Sequence, residues 1–184
     1  MRVISGTAKG RKLKSVPGSS TRPITDRVKV ALFDILAGET AGAAVLDLFA
    51  GTGGVGIEAL SRGARRAVFL DVDSQSIRTV RENLALTRLQ ERAVVIRSDS
   101  FRYLKRERGE PFDIIYIAPP QYQGLAFRAL QAIDLRPDWL SPDGIAVVQI
   151  DPKESADFPL QHLREFDRRR YGSTLLLFYE KPGE

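Results

Sequence analysis

The sequence predicts an α/β domain: a mostly parallel seven-stranded sheet with helices on both faces, closed by an antiparallel C-terminal hairpin and preceded by a small basic appendage. Three observations predict it. From residue 44 onward, short apolar runs alternate with stretches of helical apolar spacing, the pattern of parallel strands joined by helical crossovers. A glycine-rich turn, Gly51-Thr-Gly53-Gly54-Val-Gly56, lies between the first such strand and the first such helix. The last two apolar runs are joined around Gly172 by a link too short for a parallel crossover, so they pair antiparallel. The chain has 184 residues, 43% of them hydrophobic, enough for one domain with a sizeable core.

The elements follow in order. Residues 1–17 alternate weakly and carry Gly6 and Gly10, which reads as a short hairpin or extended arm. Pro17–Pro23 (PGSSTRP) is a loop by composition. Thr25 can cap a helix whose first turn suits Asp26 and whose apolar stripe is Val28, Ala31, Leu32 and Ile35, with Gly38 as its stop. These parts form an appendage over residues 1–40, and the main domain spans 41–184. There, Ala44–Phe49 is a buried-type strand and the helix after the glycine turn runs through Leu60. Ala67–Leu70 is a strand ending at Asp71, and Ser74 opens a helix with Ile77, Val80 and Leu84 at helical spacing. Val94–Arg97 is a strand, followed by a short helix near 100–107. Phe112–Ile117 is a strand with a Pro119-Pro120 stop, and a helix lies near 125–134. Gly144–Ile150 is a strand, a last helix occupies parts of 153–164, and strands near 166–171 and at Thr174–Tyr179 close the chain. Trp139 is expected to pack on the sheet, His162 to lie at the surface, and Asp151-Pro152 to end the fifth strand.

Composition excludes several chemistries. Without cysteine there is no disulfide, no thiolate-held zinc or iron–sulfur cluster and no thiol nucleophile, and a single histidine argues against a His-rich metal site or a chymotrypsin-like mechanism. No run approaches the roughly 18 apolar residues of a membrane-spanning helix, and the basic, polar first residues do not read as a secretory leader. The net charge of +5 is unevenly placed. Before residue 30 stand Arg2, Lys9, Arg11, Lys12, Lys14, Arg22, Arg27 and Lys29 against the single acid Asp26, and Arg164, Arg168, Arg169 and Arg170 gather near the end. Such clusters point to a polyanionic partner, most simply nucleic acid.

Gly51, Gly53 and Gly56 match G-x-G-x-x-G, which supplies a tight turn, close backbone approach to a ligand and close packing of helix on strand. Asp71 ends the next strand about 20 residues on, where an acid can bind ribose hydroxyls. Both features suit a nucleoside-containing cofactor: a nicotinamide dinucleotide or S-adenosylmethionine (SAM). Asp47 favours SAM, because its carboxylate can face a cationic amino-acid tail and gives nothing to a phosphate. The closing hairpin also favours SAM, being foreign to a simple doubly wound dinucleotide fold.

At this point a resemblance becomes specific. D-x-F-A-G-x-G is similar to the first motif of class I SAM-dependent methyltransferases. The segments GRKLKSVPGSSTRPITDRVKVALFDIL, DLFAGTGGVGIEALSRGA and FDIIYIAPPQY, in that order over nearly the whole chain, resemble the bacterial RsmD-type family. The resemblance implies a Rossmann-like methyltransferase that methylates the exocyclic N2 of a guanine in 16S ribosomal RNA. Its cofactor would be SAM and its partner ribosomal RNA or an assembling small ribosomal subunit, with no metal, no membrane, a cytoplasmic location and a monomeric state. It also implies that Asp47, Gly51 and Gly53 line the methionine end of SAM and that Phe49 and Ala50 shape the turn. Asp71 would take the ribose hydroxyls and Asp99, helped by Ser98 or Ser100, the adenine amino group. Asp99 can also serve as a helix cap for residues 100–107.

The chain departs from the family at the catalytic motif, where Ala118-Pro119-Pro120-Gln121-Tyr122 replaces D/N-P-P-Y/F. The guanine N2 lone pair is delocalised into the ring, and an acceptor on its N–H bonds favours the geometry of attack. Ala118 offers none. The Pro119 carbonyl, Gln121 or Asp26 are candidate acceptors, and Tyr122 can stack on a flipped base. By the same resemblance Thr21-Arg22-Pro23 and Thr25-Asp26-Arg27 lie near the target base, while Lys9, Arg11, Lys12, Lys14, Arg22, Arg27 and Lys29 can bind phosphates. Three alternatives stand beside this reading. One is a non-catalytic SAM- and RNA-binding assembly factor, motivated by Ala118. Another is a methyltransferase of a different nucleic acid. The third is a nicotinamide-dependent oxidoreductase, which explains the glycines and Asp71 alone.

Overall fold

The structure, a computed structural model, describes residues 1–18, 23–106, 109–157 and 159–183. Thr21, Arg22 and the centre of the PGSSTRP loop lie outside the described residues. Helices α1 (Asp26–Ile35) and α2 (Ala37–Thr40) precede strand β1 (Ala44–Asp47) and helix α3 (Gly54–Ser61). Then come β2 (Arg66–Asp71), α4 (Ser74–Thr87), β3 (Ala93–Arg97), α5 (Ser100–Lys105), β4 (Phe112–Ile117) and α6 (Leu125–Asp134). Strands β5 (Leu140–Ile150), β6 (Arg164–Tyr171) and β7 (Thr174–Glu180) complete the chain. The seven strands are ordered β3-β2-β1-β4-β5-β7-β6. β1 to β5 pair in parallel, and β7 runs antiparallel to both β5 and β6. The expected sheet and closing hairpin are therefore present. The order reverses between β1 and β4, and open α/β sheets bind ligands where it does so, at the C-terminal strand ends.

Two apolar cores flank the sheet. One joins α1, α3 and α4 to the sheet through Leu32, Phe33, Ile57, Leu60, Val80 and Phe69. The other joins α5 and α6 to the opposite face and holds Trp139, which stacks against Phe112 at 6.3 Å between ring centroids and donates its indole N–H to the Leu104 carbonyl. α3 is buried along its whole length. Its glycines permit this: a Cβ on Gly56 would stand 2.3 Å from the ring of Phe69, so only glycine lets the helix lie this close to the sheet.

Several details differ from the sequence expectation. α1 ends at Ile35, and Gly38 sits inside α2 rather than stopping α1. The buried face of α1 is Val28, Lys29, Leu32 and Phe33, while Ala31 and Ile35 are only half-buried. β5 begins at Leu140, because Ser141-Pro142-Asp143 is accommodated as an irregularity between the Phe112–Leu140 and Ile114–Ile145 pairs. Among the described residues no α-helix occupies 153–164. A 3₁₀ turn at Pro152–Glu154 is held by reciprocal capping from Asp151 and Glu154. Beyond it, the buried carboxylate of Asp134 accepts the backbone N–H groups of Gln161, His162 and Leu163, satisfying donors that a helix would have used.

The N-terminal segment is a closed arm rather than a free tail. Arg2 and Lys12 form an antiparallel bridge, and Val3, Ala8 and Leu13 are buried against the α3 side of the core. Glu58 of α3 accepts the N–H groups of Ile4 and Ser5, and Ser61 accepts that of Ala8.

Candidate functional site

The turn between β1 and α3 is built by two left-handed residues, Gly51 (φ +54°) and Gly53 (φ +78°). Behind the loop, a Cβ on Gly53 would crowd Val80 and Ile57 at 3.2–3.3 Å; in front, the space beside Gly51 is open. Gly51 therefore faces open space, and Gly53 shapes the loop from behind.

In front of the loop lies a cleft of about 920 Å³. Asp47, Phe49, Ala50, Gly51, Asp71 and Asp99 all line it, whereas Gly53 does not. Its charge is one-signed: Asp47, Asp71, Asp73 and Asp99 contribute carboxylates, and no Lys, Arg or His is among the described lining residues. A dinucleotide pyrophosphate finds no cation here, whereas a cationic ligand finds an attractive field.

Asp47 is fully buried at the end of β1. Its Oδ2 accepts a long 3.4 Å bond from the Gly56 N–H, and its Oδ1 has no partner. Burial, aided by the charge of Asp71, pushes its carboxyl up to about 7. A buried carboxylate oxygen without a donor is costly, and an ammonium group in the cleft would supply the donor. The two oxygens of Asp71 each accept one backbone N–H, from Gly51 and Asp73, both at 2.9 Å. Those bonds fix the carboxylate plane and leave each oxygen a lone pair, the arrangement that two vicinal hydroxyls need. Asp99 caps α5, its Oδ1 accepting the Arg102 N–H at 2.8 Å, and also lines the cleft, so the cap and the cleft share one residue. Ser100 donates to the Leu48 carbonyl at 2.5 Å and pins α5 to the end of β1. Ser98 donates to the Asp99 carbonyl.

The opposite wall is the end of β4. Ala118 and Pro120 line the cleft and Pro119 does not. Tyr122 adopts φ +62°, is 64% exposed and lies outside the lining. Its N–H donates to Glu154 at 2.7 Å, and its phenol is bonded to Asp151, which holds the hydroxyl above its ordinary range. Gln121 is exposed outside the lining, and Asp26 is paired with Arg2 at 3.2 Å, also outside it.

Comparison with known proteins places this arrangement. The family model described as "Conserved hypothetical protein 95" matches residues 1–180. The chain belongs to this family, the RsmD-type methyltransferases. It is 41% identical over 187 residues, with 100% of both chains covered, to the Bacillus subtilis protein named "Putative rRNA methyltransferase YlbH". It is 35% identical over 153 residues to "Ribosomal RNA small subunit methyltransferase D" of Haemophilus influenzae, covering 82% of this chain and 79% of that one. The solved structure described as "Putative methyltransferase yhhF from Escherichia coli" superposes with a TM-score of 0.87 at 30% identity, covering 98% of this chain and 97% of that one.

In this member of the RsmD family the basic arm borders the cleft. Ser15, Val16, Pro17, Pro23 and Ile24 form one rim. Lys9, Arg11, Lys12 and Arg27 are exposed, and Lys14 is exposed and paired with Glu82 at 2.9 Å. Lys29 is not available to a phosphate. It is fully buried, 3.3 Å from Glu58, and donates to the Arg2 carbonyl at 2.5 Å. In the sequence, its burial is marked by its place on the i, i+3, i+4 face beside Val28, Leu32 and Phe33. Near the chain end, Arg164 pairs with Glu180, Arg168 with Glu165 and Arg169 with Asp167. Four cleft residues had no motif to mark them: Val72, 58% exposed beside Asp71; Phe101, under the Arg128 guanidinium at 4.4 Å; and the pair Tyr116 and Gln149.

Proposed function

We propose that this chain methylates the exocyclic N2 of a guanine in 16S ribosomal RNA, using SAM. The observation that carries the cofactor reading is the acid-lined cleft with the unpartnered oxygen of buried Asp47. The residues present fit that cofactor. Asp47 would hold the ammonium end, Gly51 leaves room for close backbone approach, Asp71 would accept the ribose hydroxyls, and Asp99 with Val72 and Phe101 would flank the base. Bound SAM supplies a methyl on a sulfonium sulfur; that sulfur leaves as a neutral thioether when the N2 lone pair takes the methyl, and an N2 proton passes to water.

The relatives named ribosomal RNA small subunit methyltransferase D support the RNA substrate. The placement of Ala118 and Pro120 at the cleft wall supports an amine acceptor there, since a base must leave its stack to reach such a wall. Lys9, Arg11, Lys12, Lys14, Arg22 and Arg27 would grip RNA phosphates, with residues 1–40 serving as the RNA-binding part and 41–184 as the methyltransferase domain. Tyr122 would reach a flipped base only by leaving Asp151. Acting on ribosomal RNA would place the protein in the cytoplasm.

The test uses labelled SAM with under-methylated small subunits, the matching free RNA and DNA, followed by nucleoside mass spectrometry. Label in N2-methylguanosine is the expected result. Cofactor binding without label on any substrate would instead make the chain a non-catalytic binder, the reading that Ala118 favours.

A further inference from the structure

We propose that Gln149 reads the target guanine, its side-chain amide holding the 2-amino group where Ala118 offers no acceptor. The inference rests on the guanine-N2 reading above.

The sheet register sets the position. Tyr116 pairs with Val147 and Ile117 with Val148 on adjacent parallel strands. The residues that follow are Ala118, just beyond the end of β4, and Gln149 of β5, at the sheet's C-terminal edge. Because strand side chains alternate faces, Tyr116 and Gln149 share one face, and Ala118 packs against the core cluster that holds Tyr116. Asp47 pairs with Tyr116 and joins that face. All four line the cleft.

The orientation of Gln149 is fixed by its neighbour. The Tyr116 hydroxyl donates to Gln149 Oε1 at 2.6 Å. Tyr116 is buried with its hydroxyl pushed well above its ordinary range, by desolvation and then by the charge of Asp47, so it remains a donor. Oε1 keeps a second lone pair. Nε2 is not among the buried unpartnered atoms of the described residues, and Gln149 lines the cleft, so the amide's donor is the group left for a ligand there.

A carboxamide so held presents an acceptor and a donor on one planar edge. Guanine presents the complement on its sugar edge: an N2–H donor beside the N3 acceptor. Adenine carries hydrogen at C2 and cannot make the first contact. A carboxylate could accept N2–H but would set negative charge against the N3 lone pair. The amide therefore selects guanine and orients N2 without removing its proton. The other candidates are less well placed: Pro119, Gln121 and Tyr122 lie outside the cleft lining, Asp26, whose Oδ2 pairs with Arg2 and whose buried Oδ1 has no partner, lies outside it as well, and Gln123 lines it but is exposed, with no hydrogen bond among the described residues to fix its amide.

The experiment is steady-state methylation of under-methylated small subunits with product nucleosides identified. Wild-type label in a nucleoside other than N2-methylguanosine would overturn the functional reading. With N2-methylguanosine established, Gln149→Met keeps the length and removes both polar atoms. It is expected to lower kcat/KM for the subunit about 10- to 100-fold, the scale of one good base-edge contact, while the calorimetric Kd for SAM stays within about twofold. Unchanged kcat/KM would overturn the inference. Should Gln149→Met fail to fold, Gln149→Asn, which retracts the amide by one methylene, is expected to show at least a tenfold loss of the same kind, and no loss there would overturn the inference equally. Tyr116 acts through Gln149. Tyr116→Phe should therefore cost about 3- to 10-fold in the wild-type background and nothing further beside Gln149→Met; an equal cost in both backgrounds would refute the positioning role.

Discussion

Asn83 donates its side-chain N–H to the carbonyl of Thr52 at 2.9 Å, from helix α4 into the glycine loop. The same nitrogen donates to the Lys14 carbonyl at 3.1 Å, and its oxygen accepts the Lys14 N–H at 2.7 Å. One fully buried amide thus ties the basic arm to the loop that faces the cleft. Asn83→Ala leaves buried backbone groups on both sides without partners. Unfolding in urea should show a loss of about 2–3 kcal/mol, and calorimetry should show SAM binding weakened several-fold, because the loop and the Ser15–Pro17 rim lose their common anchor. Full retention of both would mean that the arm and the loop are positioned independently.

Asp47 gives a pH signature with opposite signs for folding and for binding. Its carboxyl is raised from 3.8 to about 7 in the folded chain. As pH rises from about 4 to 7 the unfolded chain ionises while the folded one holds its proton, so this group's contribution to stability falls across that window and levels off above 7. Asp47→Asn should gain stability over the wild type as pH rises through the same window, measured by urea unfolding. A cation in the cleft needs the carboxylate, so wild-type SAM affinity should fall about tenfold per pH unit from about 7 down to 5. Close to one proton should be released on binding at pH 6, read from calorimetry in buffers of different ionisation enthalpy. Asp47→Asn should bind weakly with a flat profile.

Sheet order and hairpin were legible because each strand is a short apolar run and each crossover keeps helical spacing. Asp47, Asp71 and Gly51 were legible because they sit at fixed offsets from a turn that only glycine can make. What escaped the sequence has long-range causes. Lys29 looks like a phosphate ligand until a helix far along the chain supplies Glu58. The segment 153–164 looks helical until Asp134 takes its amide N–H groups. Gln149 looks like a strand residue until β5 settles beside β4 and Tyr116 reaches it. Nor does the sequence show that Tyr122 takes a positive φ, with its N–H on Glu154 and its phenol beside Asp151.

The buried cluster of Lys29, Glu58 and Arg62 carries the join between arm and domain. Glu58 receives Lys29 at 3.3 Å, Arg62 at 2.8 Å and two backbone N–H groups, whereas Lys29 has Glu58 and one carbonyl. Burial drives the Lys29 ammonium below its ordinary range, against the pull of Glu58. The two ends of the pair are therefore unequal. Glu58→Leu strands a buried cation and orphans two amides, and should cost about 3–5 kcal/mol. Lys29→Met leaves a carboxylate that still has three donors, and should cost clearly less. Equal losses in thermal and urea unfolding would refute this asymmetry.

The same burial decides which cations meet RNA. Lys9, Arg11 and Lys12 are exposed with no ion-pair partner among the described residues, whereas Arg168 and Arg169 each lie within 3.1 Å of a carboxylate on their own strand. A phosphate must displace that carboxylate before it can release a counterion, so Arg168 and Arg169 contribute little to salt-dependent affinity. Arg11→Ala and Lys12→Ala should each lower the slope of log K against log salt by about one, since each ionic contact contributes roughly 0.7–0.9. Arg169→Ala should leave the slope unchanged, and so should Lys29→Met, whose charge never faces solvent. A shallower slope for Arg169→Ala with none for Arg11→Ala would move the RNA path from the arm to the edge strand β6.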